Sequence, residues 1–378
     1  MYNPILFVVS DFYPGGAQRQ MYEIDLFCKR TGIEIEILSV NNLAQHPYFP
    51  DFFYDKHIKL GTKIIFHDQI FPRSKNSTFY KVLTRFKQIL NLKEPDKKRT
   101  FINGFKKVVF MGEYILSPFQ LLIDNRSIPI VNIIIMCSRF QSEHYRNLNK
   151  KNQYNFISGF GIKEEIDYEF EGFENFEHNH LPLSIDEIND NWKKWKFNDK
   201  SNKKIGIFTR LAKSKPLDPF FYAFHLLQSE DPNLELHIFG AGSPEDAEYT
   251  RYINHLGLKN VHFRGHQIDI KKTLNIENLD LVWFQGYLNR PAGYAGFDTA
   301  LTGTPQLFWD FFSGKNLSIN EIDHVYPHFK DIGKFAKASF VILTKKLIAE
   351  KLAEKQFNDI IENRSLERNL ENTKNFII

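Results

Sequence analysis

The feature that most constrains this fold is a repeated alternation of short apolar segments with amphipathic ones. Near the start, the apolar run 5–9 is followed by a Gly-Gly turn, a segment with helical apolar spacing and the alternating segment 33–40. The same order returns several times between 203 and 310. Strands that alternate with helices predict parallel α/β sheets with helices packed on their faces. A chain of 378 residues can hold two such domains.

Composition excludes several classes of protein. Lys plus Arg total 49 and Asp plus Glu total 45, and a net charge of +4 is too small for a dedicated nucleic-acid binder. The only cysteines are Cys28 and Cys137, which argues against a disulfide framework or a four-ligand zinc site and fits a reducing compartment. The run 5–9 is too short for a signal peptide, and the interrupted apolar stretch 128–137 is too short to span a bilayer.

Domain boundaries follow from a change in pattern. Apolar periodicity is lost between about 161 and 202, and we place the domain connection there. We therefore expect an N-terminal domain over 1–190 and a C-terminal domain over 200–345. Residues 333–361 predict one long amphipathic helix, and the terminal helical segment is taken as 346–378.

A basic segment stands out in the first half. Residues 79–90 have apolar side chains at helical spacing, and 81–107 hold nine Lys or Arg against Glu94 and Asp96. Such a surface, taken here as 79–107, would be drawn to anionic lipid. A core helix with a solvated charged face is the more common arrangement, and both interpretations stay open.

Three loops in the second half carry residues suited to a phosphate or a base. Arg210 and Lys215 lie five positions apart after a strand, and a guanidinium fork with an ammonium suits phosphate oxygens. Gly240 and Gly242 form a turn between a strand and a helix, where backbone N–H groups can face an anion. His266 follows another strand, where an imidazole can stack on a base. Taken singly, each is more often an ordinary surface or loop feature.

The fourth motif is RPAGYAGFDTALTGTP, residues 290–305. In their order, these four motifs resemble the GT-B glycosyltransferases, and among them the nucleotide-sugar-dependent transferases of the family-four type that build bacterial lipopolysaccharide and capsule. The resemblance is strongest over 203–310 and reaches the first half only through FYPGGAQRQMYEI, residues 12–24.

For the donor, the resemblance implies that Arg210 and Lys215 hold the diphosphate. The turn with Gly240 and Gly242 would form a wall of the donor cleft, and His266 would touch the nucleotide base.

The fourth motif both follows the family pattern and departs from it. The resemblance implies that Gly293 and Tyr294 place backbone near the distal phosphate and that Asp298, in place of a Glu, accepts the ribose hydroxyls. The family's first acidic residue is replaced by Arg290. This arginine either assists diphosphate departure or marks an altered or lost activity.

In the first half, Gly15 and Gly16 match the family's loop beneath the sugar and phosphates. Asp11, at the end of the first strand, is a catalytic candidate. The family's usual histidine is missing from the comparable strands, so Glu113 is the best substitute for acceptor binding or a general base. His67 and Asp68 also follow a short strand, and a structural role is the more common one for such residues.

The resemblance implies a GT-B fold of two Rossmann-like domains with parallel sheets that face across a cleft, the C-terminal helix crossing back. The expected reaction transfers a sugar from a nucleotide-diphosphate donor to a glycan, lipid-linked or protein acceptor, without a required metal or other cofactor. We expect a cytoplasmic protein, peripheral on the inner leaflet if 79–107 binds lipid, and no nucleic-acid partner. The alternatives are a noncatalytic GT-B subunit that binds a partner transferase or glycan and, less favoured, a sugar-nucleotide epimerase.

Overall fold

The computed structural model describes residues 3–43, 51–70, 100–112, 119, 131–135, 155–158, 179–181, 183–199, 201–286, 293–310 and 324–377. The chain divides into two compact units. The first unit comprises Met1–Asp186 and Leu366–Ile378, and the second comprises Glu187–Ser365.

The first unit contains a parallel sheet of seven strands in the order β3-β2-β1-β4-β5-β6-β7. Its strands are β1 (Ile5–Val9), β2 (Ile35–Ser39), β3 (Lys63–Phe66), β4 (Lys107–Phe110), β5 (Val131–Ile135), β6 (Asn155–Ser158) and β7 (Asn179–His180). Its first helices are α1 (Gly16–Thr31), α2 (Phe52–Lys59) and the short α3 (His67–Ile70).

The start of the chain shows why this sheet forms. All five residues of β1 are buried, as expected for a central parallel strand covered on both faces. Helix α1 turns Met21, Ile24 and Phe27 into the core at helical spacing. It ends at Gly32, whose φ of 72° is the left-handed conformation that glycine adopts without strain.

The second unit contains a parallel sheet of six strands in the order β10-β9-β8-β11-β12-β13. Its strands are β8 (Lys204–Phe208), β9 (Glu235–Phe239), β10 (Val261–Gly265), β11 (Leu281–Gln285), β12 (Gln306–Trp309) and β13 (His328–Phe329). Its helices are α4 (Asp218–Glu230), α5 (Tyr249–Leu256), α6 (Ile270–Glu277), α7 (Gly293–Leu301), α8 (Ile332–Thr344) and α9 (Lys346–Asn363).

Both faces of this second sheet are covered. Ile238 of β9 belongs to a cluster that includes Phe220 of α4 and Phe335 of α8. The next residue, Phe239, belongs to a different cluster that includes Leu274 of α6. Because successive strand residues point to opposite faces, helices lie on both sides of the sheet. The predicted α/β class with two parallel sheets is confirmed.

The C-terminal region differs from the single helix predicted over 333–361. Helices α8 and α9 are separated at Lys345, which is extended, with φ −113° and ψ 91°. Just before this break, the Thr344 hydroxyl donates to the Phe340 carbonyl at 2.7 Å, and such a bond competes with the helical backbone. A further helix, α10 (Leu370–Ile377), follows, and the chain from Leu366 onward belongs to the first unit.

The basic segment is only partly described, since 71–99 lie outside the described residues. At its end, Lys107 lies in β4 with 6% exposure, and burial lowers the pKa of its ammonium group. This lysine therefore does not belong to the basic surface predicted from its charge. None of the helices in the described ranges is both long and apolar enough to span a bilayer.

Candidate functional site

The order of strands in the second unit points to a ligand position. Going along the sheet, the chain order reverses between β8 and β11. Open α/β sheets bind ligands outside the carboxyl ends of the strands at such a reversal. Arg210 lies in the loop that leaves β8. The loop that leaves β11 begins at Gly286, and its residues 287–292, Arg290 among them, lie outside the described residues.

Backbone hydrogen bonds join the three predicted loops next to this position. The Thr209 N–H donates to the Phe239 carbonyl at 2.9 Å, and the Leu211 N–H donates to the Ala241 carbonyl at 2.8 Å. The Gly240 N–H in turn donates to the Gly265 carbonyl at 2.9 Å. Tertiary structure thus brings the loops that carry Arg210, Gly240, Gly242 and His266 side by side.

The two glycines of the β9 loop are required by this packing. A Cβ on Gly240 would lie 1.6 Å from the Thr209 carbonyl oxygen. A Cβ on Gly242 would lie 2.2 Å from the Leu211 carbonyl oxygen, and its φ of 123° also favours glycine. Helix α5 begins only at Tyr249, so these glycines do not lead directly into a helix as predicted. Their demonstrated role is to let two loops touch.

The cations of the β8 loop differ in their partners. Lys213 pairs with Glu248 at 2.9 Å. Within the described part of the chain, Arg210 and Lys215 make no ion pair, and Arg210 is exposed while Lys215 is half-buried. Two positive side chains thus remain available to an anion beside the strand reversal.

A buried tyrosine that sequence reasoning missed holds this loop in place. The Tyr249 hydroxyl donates toward the Lys215 carbonyl at 2.5 Å and lies 3.1 Å from the Ala212 carbonyl. Its side chain is 2% exposed, and burial raises the pKa of its hydroxyl. The turn that presents Lys215 is therefore fixed from inside the protein. In the sequence, the only indication of this role is that Tyr249 is an aromatic residue at the start of a helix.

His266 follows Gly265, which ends β10 with a φ of 70°. The His266 side chain is half-buried, and burial lowers the pKa of its imidazole from the ordinary histidine value. Burial therefore favours the neutral ring. A neutral ring suits stacking against an uncharged base, as the resemblance implies.

Helix α7 begins as the fourth motif predicts. Gly293 opens it with a φ of 62°, a conformation that favours glycine. A Cβ there would meet no atom of the described structure within 4 Å, so the requirement is conformational. Tyr294 is buried, with its ring 5.7 Å from that of Phe297. The first turn of α7 therefore offers backbone N–H groups rather than the Tyr294 side chain.

Asp298 has a protein partner that the sequence did not reveal. It is 7% exposed, and its Oδ1 accepts from Lys271 Nζ at 3.1 Å. The same ammonium lies 4.4 Å from the centre of the Trp192 ring. Among the described residues only Oδ1 is engaged, which leaves Oδ2 as a possible acceptor for a hydroxyl. Trp192 lies within 161–202, the predicted domain connection, and no local pattern in the sequence marks Lys271.

In the first unit, Asp11 is used by its own loop. The reversal in strand order falls between β1 and β4, and Asp11 follows β1. Its Oδ2 accepts from the Ser10 hydroxyl at 2.7 Å. Its Oδ1 accepts from the Tyr13 N–H at 3.1 Å and from Gln18 Nε2 at 2.7 Å. The carboxylate organises the turn into α1, a role that sequence reasoning missed.

The Gly-Gly turn is open at Gly16, whereas a Cβ on Gly15 would lie 2.4 Å from the Gln18 side-chain oxygen. Gly15 precedes α1 without a side-chain hydrogen bond to the helix start, and the first turn holds no acidic residue. A Cβ on Gly16 would meet nothing within 4 Å in the described structure. The exposed N–H groups and dipole of this helix start are suited to an anion. Glu113, which follows β4 and Gly112, lies outside the described residues.

His67 and Asp68 begin the short helix α3. The His67 ring is 9% exposed and lies edge-on to Phe119, with ring centres 6.0 Å apart. Asp68 Oδ2 accepts from Asn42 Nδ2 at 2.9 Å. Both have structural partners within the first unit.

No known family model matches the chain, and a search of curated proteins finds no match either. Solved structures, in contrast, are similar along its whole length. A Staphylococcus aureus TarM variant, in complex with fondaparinux, α-GlcNAc-glycerol and UDP, has a TM-score of 0.70 at 15% identity and covers 99% of both chains.

Two further structures agree. Anabaena HepE in complex with UDP and glucose has a TM-score of 0.67 at 14% identity and covers 97% of both chains. The pneumococcal O-GlcNAc transferase GtfA, with UDP and GlcNAc, has a TM-score of 0.64 at 11% identity and covers 100% of this chain and 98% of its own. The predicted GT-B fold is thereby confirmed.

Proposed function

We propose that this chain is a glycosyltransferase that moves a sugar from a nucleotide diphosphate to an acceptor. The observation that carries the proposal is the position of Arg210 and Lys215 beside the strand reversal of the second unit. They make no ion pair within the described part of the chain, whereas the neighbouring Lys213 is paired. Cations at this position in a GT-B fold are suited to a diphosphate.

The reaction follows from this placement. An acceptor hydroxyl attacks the anomeric carbon, the bond from that carbon to the diphosphate oxygen breaks, and the acceptor proton passes to a base. Negative charge grows on the leaving diphosphate, where Arg210, Lys215 and the N–H groups at the start of α7 would stabilise it. We assign this stabilisation to the protein rather than to a metal ion. Arg290, three positions before Gly293 in sequence, is proposed to assist it.

For the donor we propose a UDP-sugar, because the structures of TarM, HepE and GtfA named above contain UDP. His266 would contact the base and Asp298 the ribose through its Oδ2, with Lys271 holding the carboxylate in place. Gly240 and Gly242 would support the donor loop rather than bind the donor themselves.

The acceptor is assigned to the first unit, at the ends of β1 and β4. Gly15 and Gly16 would contact the sugar or phosphates, Glu113 would bind the acceptor or serve as base, and Asp11 would hold the loop. A glycan, lipid-linked or protein acceptor in bacterial surface polysaccharide or glycoconjugate synthesis fits the resemblance. Residues 79–107, without the buried Lys107, would bind an anionic inner leaflet if the acceptor is a lipid. Loss of vesicle binding on charge reversal at Lys81, Arg85 and Lys87 tests this.

The test of donor binding uses two variants of one loop. We expect Arg210→Ala to weaken UDP binding by about tenfold or more in calorimetry, since charge-assisted hydrogen bonds are lost. Lys213→Ala removes a neighbouring cation that is already paired, and its UDP affinity should stay within about twofold of wild type. Hydrolysis of a panel of UDP-sugars then tests whether the chain is catalytically active. Equal affinity in both variants, or no UDP binding at all, contradicts the proposal.

The second candidate is a noncatalytic GT-B subunit. Two observations favour it, because both candidate carboxylates are bonded to protein groups. Asp11 accepts three hydrogen bonds, and Asp298 accepts one from Lys271. The Arg290 substitution in the sequence points the same way. Tight UDP binding without turnover of any donor, with or without an acceptor, would favour this role.

A further inference from the structure

Away from the donor loops, two strands of the second unit bring metal-binding side chains together. Glu235 and His237 lie two positions apart on β9 and so on the same face of the strand. His262 of the edge strand β10 is the direct partner of His237 in the parallel ladder. One ligand atom from each of the three lies within 4.8 Å of the other two.

We propose that Glu235, His237 and His262 form a zinc site that fastens the edge strand β10 to β9. Two imidazoles and one carboxylate are a ligand set that zinc accepts, with a fourth position left for water. Glu235 and His262 are half-buried while His237 is fully buried, so solvent can supply that water.

The distances need only small adjustments. His237 Nε2 lies 2.8 Å from Glu235 Oε2, and the centres of the two histidine rings are 5.0 Å apart. Zinc bonds of about 2.1 Å at tetrahedral angles place ligand atoms about 3.4 Å apart. The Glu235 contact would open by roughly half an ångström, and the His262 ring would turn inward. Within the described part of the chain, this ring makes no hydrogen bond that would hold it back.

The surrounding charges supply a partner for the second nitrogen of His237. A metal-bound histidine usually donates its other ring N–H to a carboxylate. His237 Nδ1 lies 3.8 Å from Glu277 Oε2, close enough for that bond after a small shift.

Two cations oppose the site. Arg264 Nε donates to His237 Nδ1 at 3.2 Å, and Lys204 also acts electrostatically on Glu235. Arg264 is exposed and can swing into solvent. Its release would let His237 Nδ1 take a proton and turn to Glu277. Arg264 therefore competes with the metal. Removing this arginine should tighten zinc binding, an effect that a purely structural hydrogen-bond network would not produce.

The test measures zinc binding by the full chain after chelator treatment. Calorimetry at pH 7.5 should find one zinc per chain, with magnesium unable to compete, since hard cations prefer all-oxygen sites. His262→Gln should weaken zinc binding by more than tenfold, and Glu277→Gln by about tenfold or more. Arg264→Gln should instead tighten it. His255→Gln, at an exposed histidine outside the cluster, is the matched control and should leave the affinity unchanged.

Two measurements keep the test independent of folding. Circular dichroism of each metal-free variant shows whether it is folded, and Glu235→Gln replaces His262→Gln if the latter is not. Cobalt added to the wild-type chain should give the visible absorption of a four-coordinate N/O site. Absence of a bound zinc, equal affinity in His262→Gln and wild type, or weaker binding in Arg264→Gln would each overturn the site. None of these results bears on UDP binding, so the proposed function is tested separately.

Discussion

The loops that leave β1 and β8 occupy equivalent places in their sheets, yet they use their charges differently. After β1, the carboxylate of Asp11 accepts three hydrogen bonds, two from its own loop and one from Gln18 in the first turn of α1. After β8, Arg210 and Lys215 make no ion pair in the described ranges, and their loop is held by backbone bonds and Tyr249. A charge used internally builds a loop, whereas a charge left available can bind a ligand. The contrast favours a ligand-binding role for the β8 loop.

The largest expected effect is a difference in stability between alanine substitutions at a glycine of the second unit and at a glycine of the first. Gly240→Ala places a Cβ against the Thr209 carbonyl and should destabilise the second unit by about 3 kcal/mol. Gly16→Ala enters open space and should change the stability of the first unit by no more than about 1 kcal/mol. All four tryptophans lie in the second unit, so tryptophan fluorescence during urea unfolding measures the effect of Gly240→Ala, and circular dichroism of the whole chain measures that of Gly16→Ala. An unchanged midpoint for Gly240→Ala would show that the loops are not packed as described.

The next effect concerns the pair beneath the proposed ribose position. Lys271→Met leaves the buried carboxylate of Asp298 without its cation and should lower the free energy of unfolding by about 2 kcal/mol. Lys272→Met, at the exposed neighbour, should change it little. Adding Asp298→Asn to Lys271→Met should recover part of the loss, because the unpaired charge is removed. Additive effects of the two substitutions would mean that the pair does not interact.

A smaller effect distinguishes two roles for Asp11. If it organises the loop, Asp11→Asn keeps an acceptor oxygen for the Tyr13 N–H and should retain most transfer activity. Asp11→Ala loses all three hydrogen bonds and should lower activity by about tenfold. UDP affinity, which we assign to the second unit, should stay the same in both variants. Equal and severe loss of activity in both would instead support a catalytic carboxylate.

The smallest effect is a pH dependence from the β10 loop. Burial lowers the pKa of His266, so below pH 6.5 the unfolded chain binds this proton more readily than the folded chain. The stability contributed by the neutral ring is therefore present above pH 6.5 and is lost as the pH falls. Between pH 7 and pH 5.5, the urea midpoint of His266→Gln should fall less than that of wild type. Tryptophan fluorescence monitors the unfolding. His255→Gln, at an exposed position, should behave as wild type.

Much of the fold was predictable because its pattern is local. The run 5–9 and the stripe of Met21, Ile24 and Phe27 carry the periods of a buried strand and an amphipathic helix, and both elements are found. The same reasoning failed at Lys345. The apolar periodicity continues through this break between two helices, because residues on both sides of it pack into the same core. Periodicity records which residues face the core, and it does not record where the backbone turns between two helices that share that core.

The site was predictable to the level of its loops. Strand ends and glycine turns marked Arg210, Gly240 and Gly293, since the carboxyl ends of parallel strands share one edge of a sheet. Partners could not be read in the same way. Lys271 and Asp298 are 27 positions apart, and Tyr249 reaches Lys215 across 34 positions. Nothing in the local sequence of either residue specifies the other.

By itself, the sequence determined that two parallel α/β units would form and which loops would carry cations and glycines, because both depend on the spacing of residue types along the chain. Only tertiary structure decided which charges are neutralised from within, that Gly240 is needed for loop packing, and that His237 and His262 are neighbours on β9 and β10. These outcomes depend on strand order and register, which bring together residues that are distant in the chain.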